Sequence, residues 1–129
     1  MDELLTIFCD IADASFAIDG KQRIMFWNPA AERLLGIEVK DALGQPCWQV
    51  LKGKTPEGRP FCQHDCPVIL ALKQNRPVEA FDLLISGPAQ ETILTNISTL
   101  FISPDLHCRA AVVHLQRRPE DHFQWPDPS

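Results

Sequence analysis

Apolar residues recur along this chain first at helical spacing and later at alternating spacing. Over Asp2 to Asp13, Leu4, Phe8 and Ile11 fall on one face with Leu5 and Ala12 beside them, which predicts an amphipathic helix. Ser15 to Asp19 and Arg23 to Trp27 then predict two short strands. The turn signal Asp19-Gly20, continued by Lys21, joins them as a hairpin. Asn28-Pro29 predicts a helix start, because Asn caps well and Pro suits the first helical position; Glu32 follows in the early turns. Ala30, Ala31, Leu34 and Leu35 supply its packing face, and Gly36 stops it. Val39 to Leu43 predicts one or two further turns, ended by Gly44 and Pro46, and Cys47 to Leu51 a short helix.

From Lys52 to Asp65 the chain carries Gly53, Pro56, Gly58 and Pro60, so no regular element persists there. A connection of that length is often functional. Pro67 then opens a helix to about Asn75 through Val68, Leu70, Ala71 and Leu72, with Cys66 at its N-cap. The remainder predicts strands over Val78–Ser86, Glu91–Ile102 and His107–Arg117, an antiparallel meander with turns at Gly87-Pro88 and Ser103-Pro104-Asp105. The segment from Pro119 to Ser129, rich in proline, predicts a loose tail.

With 129 residues, 45% of them hydrophobic and 22% charged, the chain suits one domain around one core. Its net charge of −5, with basic residues scattered apart from Arg117-Arg118, argues against direct nucleic-acid binding. The opening Met1-Asp2-Glu3 is acidic where a secretory signal is basic, and no apolar run is long enough to span a bilayer, so a cytoplasmic protein is expected. Five cysteines in a reducing compartment disfavour a permanent disulfide framework.

The element order, together with Ile24-Met25-Phe26-Trp27-Asn28-Pro29-Ala30-Ala31-Glu32-Arg33-Leu34-Leu35-Gly36, resembles the PAS sensory-domain family. In that family a strand ends in an Asn that caps a helix with paired alanines, a Leu and a terminal Gly. Asn28, Pro29, Ala31, Leu34 and Gly36 are the matching positions. The resemblance implies an α+β fold: a five-stranded antiparallel sheet with short helices on one face, preceded by the N-terminal amphipathic helix. It places that helix at 1–13, the domain at 14–118 and the tail at 119–129. It also implies a cupped pocket between sheet and helices, and a dimer through the leading helix with Leu4, Phe8 and Ile11 at the interface. Flavin-photoadduct members carry an Asn-Cys-Arg motif soon after the first helix; here Ile37-Glu38-Val39-Lys40-Asp41 has no cysteine. Haem-binding members place a histidine on the longer helix, and Pro67 to Asn75 has none, leaving His64 just ahead of it.

Cys47, Cys62 and Cys66 look like those of a subset of bacterial PAS domains with a glycine-containing loop and a Cys-Pro helix start. A thiol at a helix start faces unpaired N–H groups and the positive dipole end, which makes Cys66 the reactive candidate. Three uses stand open. The cysteines fill space as small apolar residues, or Cys62 pairs reversibly with Cys66 or Cys47, or the three bind zinc or an iron–sulfur cluster with His64 or Cys108 as fourth ligand. The spacing matches no standard zinc finger. Cys9, His107 and His114 read as structural, and Trp27 and Trp48 as core, with Trp48 alternatively at the pocket mouth.

The function expected is a stand-alone, non-enzymatic sensory or regulatory module in signal transduction or transcription regulation. It senses a small ligand or redox state and acts on a protein partner in trans, as a homodimer. The alternatives are a metal- or iron–sulfur-binding protein and a thiol enzyme with Cys66 as nucleophile, His64 as base and Asp65 adjacent.

Overall fold

The structure is a computed structural model that describes residues 13–105 and 108–117, the side chains of 103–109 apart. The leading helix with Leu4, Phe8 and Ile11, as well as Cys9, His107 and the tail, lie outside the described residues. Strands β1 (Ala14–Asp19) and β2 (Ile24–Trp27) form the hairpin. Helices α1 (Pro29–Leu35), α2 (Val39–Ala42), α3 (Cys47–Leu51) and α4 (Pro67–Lys73) follow, and strands β3 (Phe81–Ser86), β4 (Thr92–Asp105) and β5 (Cys108–Arg117) close the chain. All pairings are antiparallel, in the order β2-β1-β5-β4-β3. The last strand therefore inserts beside the first, joining hairpin and meander into one sheet.

Alternation within each strand sends one set of side chains toward the helices. Phe16 and Ile18 of β1, Val113 and Leu115 of β5, Ile93 and Ile97 of β4 and Leu83 and Ile85 of β3 meet Ala30, Ala31 and Leu35 of α1 and Val68, Ile69 and Leu72 of α4 in the main core. On the opposite face Phe26, Ala17, Val112 and Leu100 stand in one cross-strand row. Ala17 and Val112 are buried there with Met25, Phe26 and Ile102 around them, while Leu100 is 56% exposed.

Asn28 does more than cap α1. Its Oδ1 accepts from Ala31 N at 2.8 Å and from Ser15 N at 3.0 Å, and its Nδ2 donates to Asp13 O at 3.1 Å. One fully buried amide thus ends β2, starts α1 and pins the start of β1. Gly36 ends α1 at φ 70, where a Cβ would sit 2.8 Å from Pro88 Cβ; both the left-handed backbone and the close contact require glycine. The indole of Trp27 donates to Ile37 O at 2.9 Å, which satisfies its buried N–H.

Three expectations shift. The hairpin turn is longer than Gly20-Lys21: Asp19 Oδ1 accepts from Lys21 N and Arg23 N, and Gln22 takes a left-handed φ of 63. Strand β3 starts at Phe81 and not at Val78. Strand β4 runs through the Ser103-Pro104-Asp105 turn signal to Asp105, with a register irregularity between Ile102 and Asp105; a break in pairing is where a strand tolerates proline.

Candidate functional site

Cys47, Cys62 and Cys66 come from three separate segments and border one chamber. Cys47 opens α3, Cys62 lies in the later part of the irregular connection and Cys66 precedes α4. They meet beneath the sheet against Phe16, Ile18, Leu83 and Val113, with Phe61 and Phe81 closing the side, their ring centroids 4.8 Å apart. The chamber holds about 40 Å³ and its lining is carbon and sulfur. Cys47 and Cys66 are 8% and 7% exposed, Cys62 is half-buried, and all three are free thiols.

Gln22 is what holds the three segments together. It is 2% exposed although it sits in a hairpin turn. Its backbone oxygen accepts from Cys47 N at 2.8 Å. Its Oε1 accepts from Asp65 N at 2.9 Å, while its Nε2 donates to Gln63 O at 3.1 Å and lies 3.8 Å from Cys66 Sγ as a donor to that sulfur. Left-handed backbone recurs around the chamber, at Gln22 (φ 63), Lys52 (φ 51) and Asp65 (φ 57). Each costs on the order of 1 kcal/mol, and such strain concentrates where surrounding contacts over-determine a site. Nothing in the sequence pattern singled out Gln22. The only available signal was a polar residue directly after a turn dipeptide, which ordinarily faces water.

The irregular connection is tied to the sheet as well. Lys54 exchanges backbone hydrogen bonds with Leu84 of β3, both at 2.8 Å, and Phe61 N and Cys62 N donate to Gly53 O at 3.0 and 3.1 Å. A Cβ at Gly53 would lie 2.6 Å from Leu83 Cδ2 and 2.9 Å from Cys62 Sγ, so the backbone passes against the thiol at a distance open only to glycine.

Burial first, and then the neighbouring sulfurs Cys66 and Cys62, push the Cys47 thiol up to about 12. Burial likewise pushes Cys62 up to about 11; the Gly53 N–H lowers it in part and the charge of Cys66 raises it. Cys47 and Cys62 are therefore neutral thiols at physiological pH, poor nucleophiles and poor anionic ligands until something replaces their protons.

His64 does not join the chamber. Its side chain is 75% exposed and its Nδ1 lies 3.2 Å from Asp65 Oδ2, with Lys73 Nζ 3.3 Å from Asp65 Oδ1 on the same outer surface. Turned outward, it provides neither a base for Cys66 nor a fourth donor. The Cys108 side chain lies outside the described set; its backbone pairs with Asp105 at the β4–β5 end. Among the described residues no group of three His, Cys, Asp or Glu side chains is placed to hold a metal ion. A closed zinc tetrahedron or a four-thiolate cluster thus finds no complete donor set there. Trp27 is buried in the core, Trp48 is half-buried, and His114 Nε2 lies 3.1 Å from Asp13 Oδ2.

No curated protein matches the chain. Solved structures that resemble it include a PAS domain from a two-component sensor histidine kinase (16% identity, TM-score 0.66, covering 91% of this chain and 95% of that one). Another is the PAS domain of nitrogen regulation protein NR(II) from Vibrio parahaemolyticus (15% identity, TM-score 0.64, 88% and 95%). The E. coli DhaR(N)–DhaL complex also resembles it (17% identity, TM-score 0.59), with the match covering 89% of this chain and 35% of that one. At such identities the likeness is one of fold. The PAS fold family model matches residues 2–99, and with the strand order, the Asn28 junction and the short helices over one sheet face, this chain belongs to the PAS-fold family.

Proposed function

We propose that this domain is a non-enzymatic sensory module of intracellular signal transduction, which receives its signal at the Cys47/Cys62/Cys66 chamber and passes it to a protein partner. The observation that carries the proposal is the convergence of three thiols on a chamber fastened, through Gln22, to the β1–β2 hairpin. A small ligand or a change in thiol state there alters the fit of the Gln63–Cys66 segment, and the Gln22 amide relays the change to the turn between two strands of the sheet. On the outer face of that sheet Leu100, exposed beside the buried Val112 and Ala17, offers a point of contact for a second copy or another partner. Two comparisons are consistent with this role: one neighbour comes from a sensor histidine kinase and another belongs to a complex of two proteins. Among the described residues no helix is long and apolar enough to cross a membrane. An intracellular setting suits the free thiols of the chamber.

Methyl methanethiosulfonate, which converts a thiol to a methyl disulfide, tests the relay. With the chamber thiols modified, amide hydrogen exchange speeds up at least tenfold both in the Asp19–Arg23 turn and in the Cys62–Cys66 segment, while the β3–β4 ladder is unchanged. Full modification with an unaltered turn would contradict the proposal.

A further inference from the structure

Strand β4 is longer than the strand beside it. It pairs with β3 only as far as Ile97, opposite Phe81, whereas its ladder with β5 continues through Ile102. The phase of the β3–β4 ladder is set at its turn, where Gly87 N donates to Glu91 O at 2.8 Å. Counted from that pair, Ile93, Thr95 and Ile97 turn their N–H and C=O toward β3, and Thr99 and Phe101 point the same way. Leu84 agrees with this phase, because it turns away from β4 and exchanges both its bonds with Lys54. The same register carried onward would set Glu79 against Thr99 and Pro77 against Phe101. Pro77 has no N–H, and the chain there is irregular. Among the described residues no backbone group bonds Thr99 or Phe101 on this side. Two donors and two acceptors in a row therefore face outward, which is the template that an added strand reads.

A slot of about 330 Å³ runs along this edge, between residues 99–101 and residues 75–78. One extended residue fills roughly 160 Å³, from a rise of about 3.4 Å, a strand spacing of about 4.8 Å and a sheet thickness of about 10 Å. The slot thus takes about two residues, the stretch of edge between Thr99 and Phe101. Beside it Leu100 is 56% exposed, and an apolar side chain on an added strand would cover it. Arg76 borders the slot with its Nε on Gln74 Oε1 and with no acidic partner among the described residues, so its terminal nitrogens favour a carboxylate.

We propose that the β4 edge at Thr99 and Phe101 is a strand-addition site for an extended segment of a partner protein, carrying an apolar residue for Leu100 and an acidic one for Arg76. A second copy does not fit in the same way, because pairing its β4 here brings its own residues 75–78 against those of the first. The proposal stands on the sheet edge and is independent of the thiol chamber.

The test follows amide hydrogen exchange by NMR in the full chain, alone and with the peptide acetyl-Thr-Val-Asp-Val-Thr-amide. In the free chain Thr99 and Phe101 exchange at least tenfold faster than Ser98 and Leu100, whose amides face β5. Saturating peptide slows Thr99 and Phe101 at least tenfold. Leu100→Glu and Arg76→Glu, both at exposed side chains, each weaken binding at least tenfold. Thr99→Pro removes one slot-facing N–H and no bond to β5, and abolishes binding; where that variant does not fold, the two surface variants decide. Protection of Thr99 and Phe101 already in the free chain would mean that the chain itself or a second copy covers the edge, and would overturn the proposal. Exchange unmoved by the peptide, or binding indifferent to Leu100→Glu and Arg76→Glu, overturns it as well.

Discussion

Replacing Gln22 by Ala is expected to loosen the thiol chamber and to destabilise the fold by about 2–4 kcal/mol, since it strands the Asp65 N–H and the Gln63 carbonyl beside a buried sulfur. For a domain of this size that corresponds to a fall in Tm of roughly 10 °C. The Cys47 N–H bond to the Gln22 backbone survives the change, so the damage concentrates on the Cys62–Cys66 side. Cys66 should accordingly become at least tenfold faster to label with a small thiol reagent, and Cys47 much less so. Gln22→Gly separates the two contributions at this site: it relieves the left-handed backbone at φ 63 yet removes the same amide. It should be less destabilised than the Ala variant and equally exposed at Cys66. Thermal unfolding with thiol mapping checks this, and an Ala variant that melts within 2 °C of the parent (about half a kcal/mol) with unchanged labelling would refute the clamp.

The second large effect is at Asn28. Asn28→Ala removes the α1 cap, worth about 1 kcal/mol, and leaves the buried Ser15 N–H unpaired for a further 1–3 kcal/mol, so about 3 kcal/mol in all is expected. Asn28→Asp keeps an oxygen for Ala31 N and Ser15 N; protonated, its O–H can still donate to Asp13 O, whereas ionised it cannot and leaves a carboxylate in a fully buried place. Far-ultraviolet circular dichroism during denaturant unfolding measures both variants. The Asp variant should fall between parent and Ala at low pH, where its carboxyl is protonated, and lose that advantage as the carboxyl ionises. Equal stability of parent and Ala would show that the junction is not held by this side chain.

These two residues mark how far the fold and the site could be inferred from sequence. Asn28 was legible because its role is local: an N-cap followed by Pro29, paired alanines and Gly36 is written in consecutive positions, and the structure follows it. Its bonds to Ser15 and Asp13 join segments more than a dozen residues apart, which no periodicity encodes. The three cysteines could be nominated because thiols are conspicuous and the proline- and glycine-bearing connection signalled an irregular segment. Gln22 could not, because its burial depends on the Gln63–Cys66 segment folding back over the hairpin across more than forty positions. His64 illustrates the reverse error. Proximity in sequence suggested a partner for Cys66, whereas the left-handed backbone at Asp65 carries the chain between them and leaves the imidazole on the surface. The extent of β4 shows strand and turn signal coexisting: the ladder with β5 breaks after Ile102, where Ser103 and Pro104 lie, and closes again at the Asp105–Cys108 pair.

The most direct test of the account is the proton affinity of the chamber thiols, read from thiolate ultraviolet absorbance against pH in the folded Cys9→Ser, Cys108→Ser chain. Cys47 and Cys62 hold their protons in the folded state up to about 12 and about 11, against 9.0 for an unshielded thiol. Because the folded protein binds these protons more tightly than the unfolded chain, stability is unaffected by them below pH 9 and declines as pH rises from 9 toward those values, by up to about 1.4 kcal/mol per pH unit for each thiol. Cys47 and Cys62 are expected to remain un-ionised at pH 9.5 and to ionise only on further rise or on alkaline unfolding. Ionisation of all three by pH 9 in a still-folded protein would contradict a shared, water-excluding chamber.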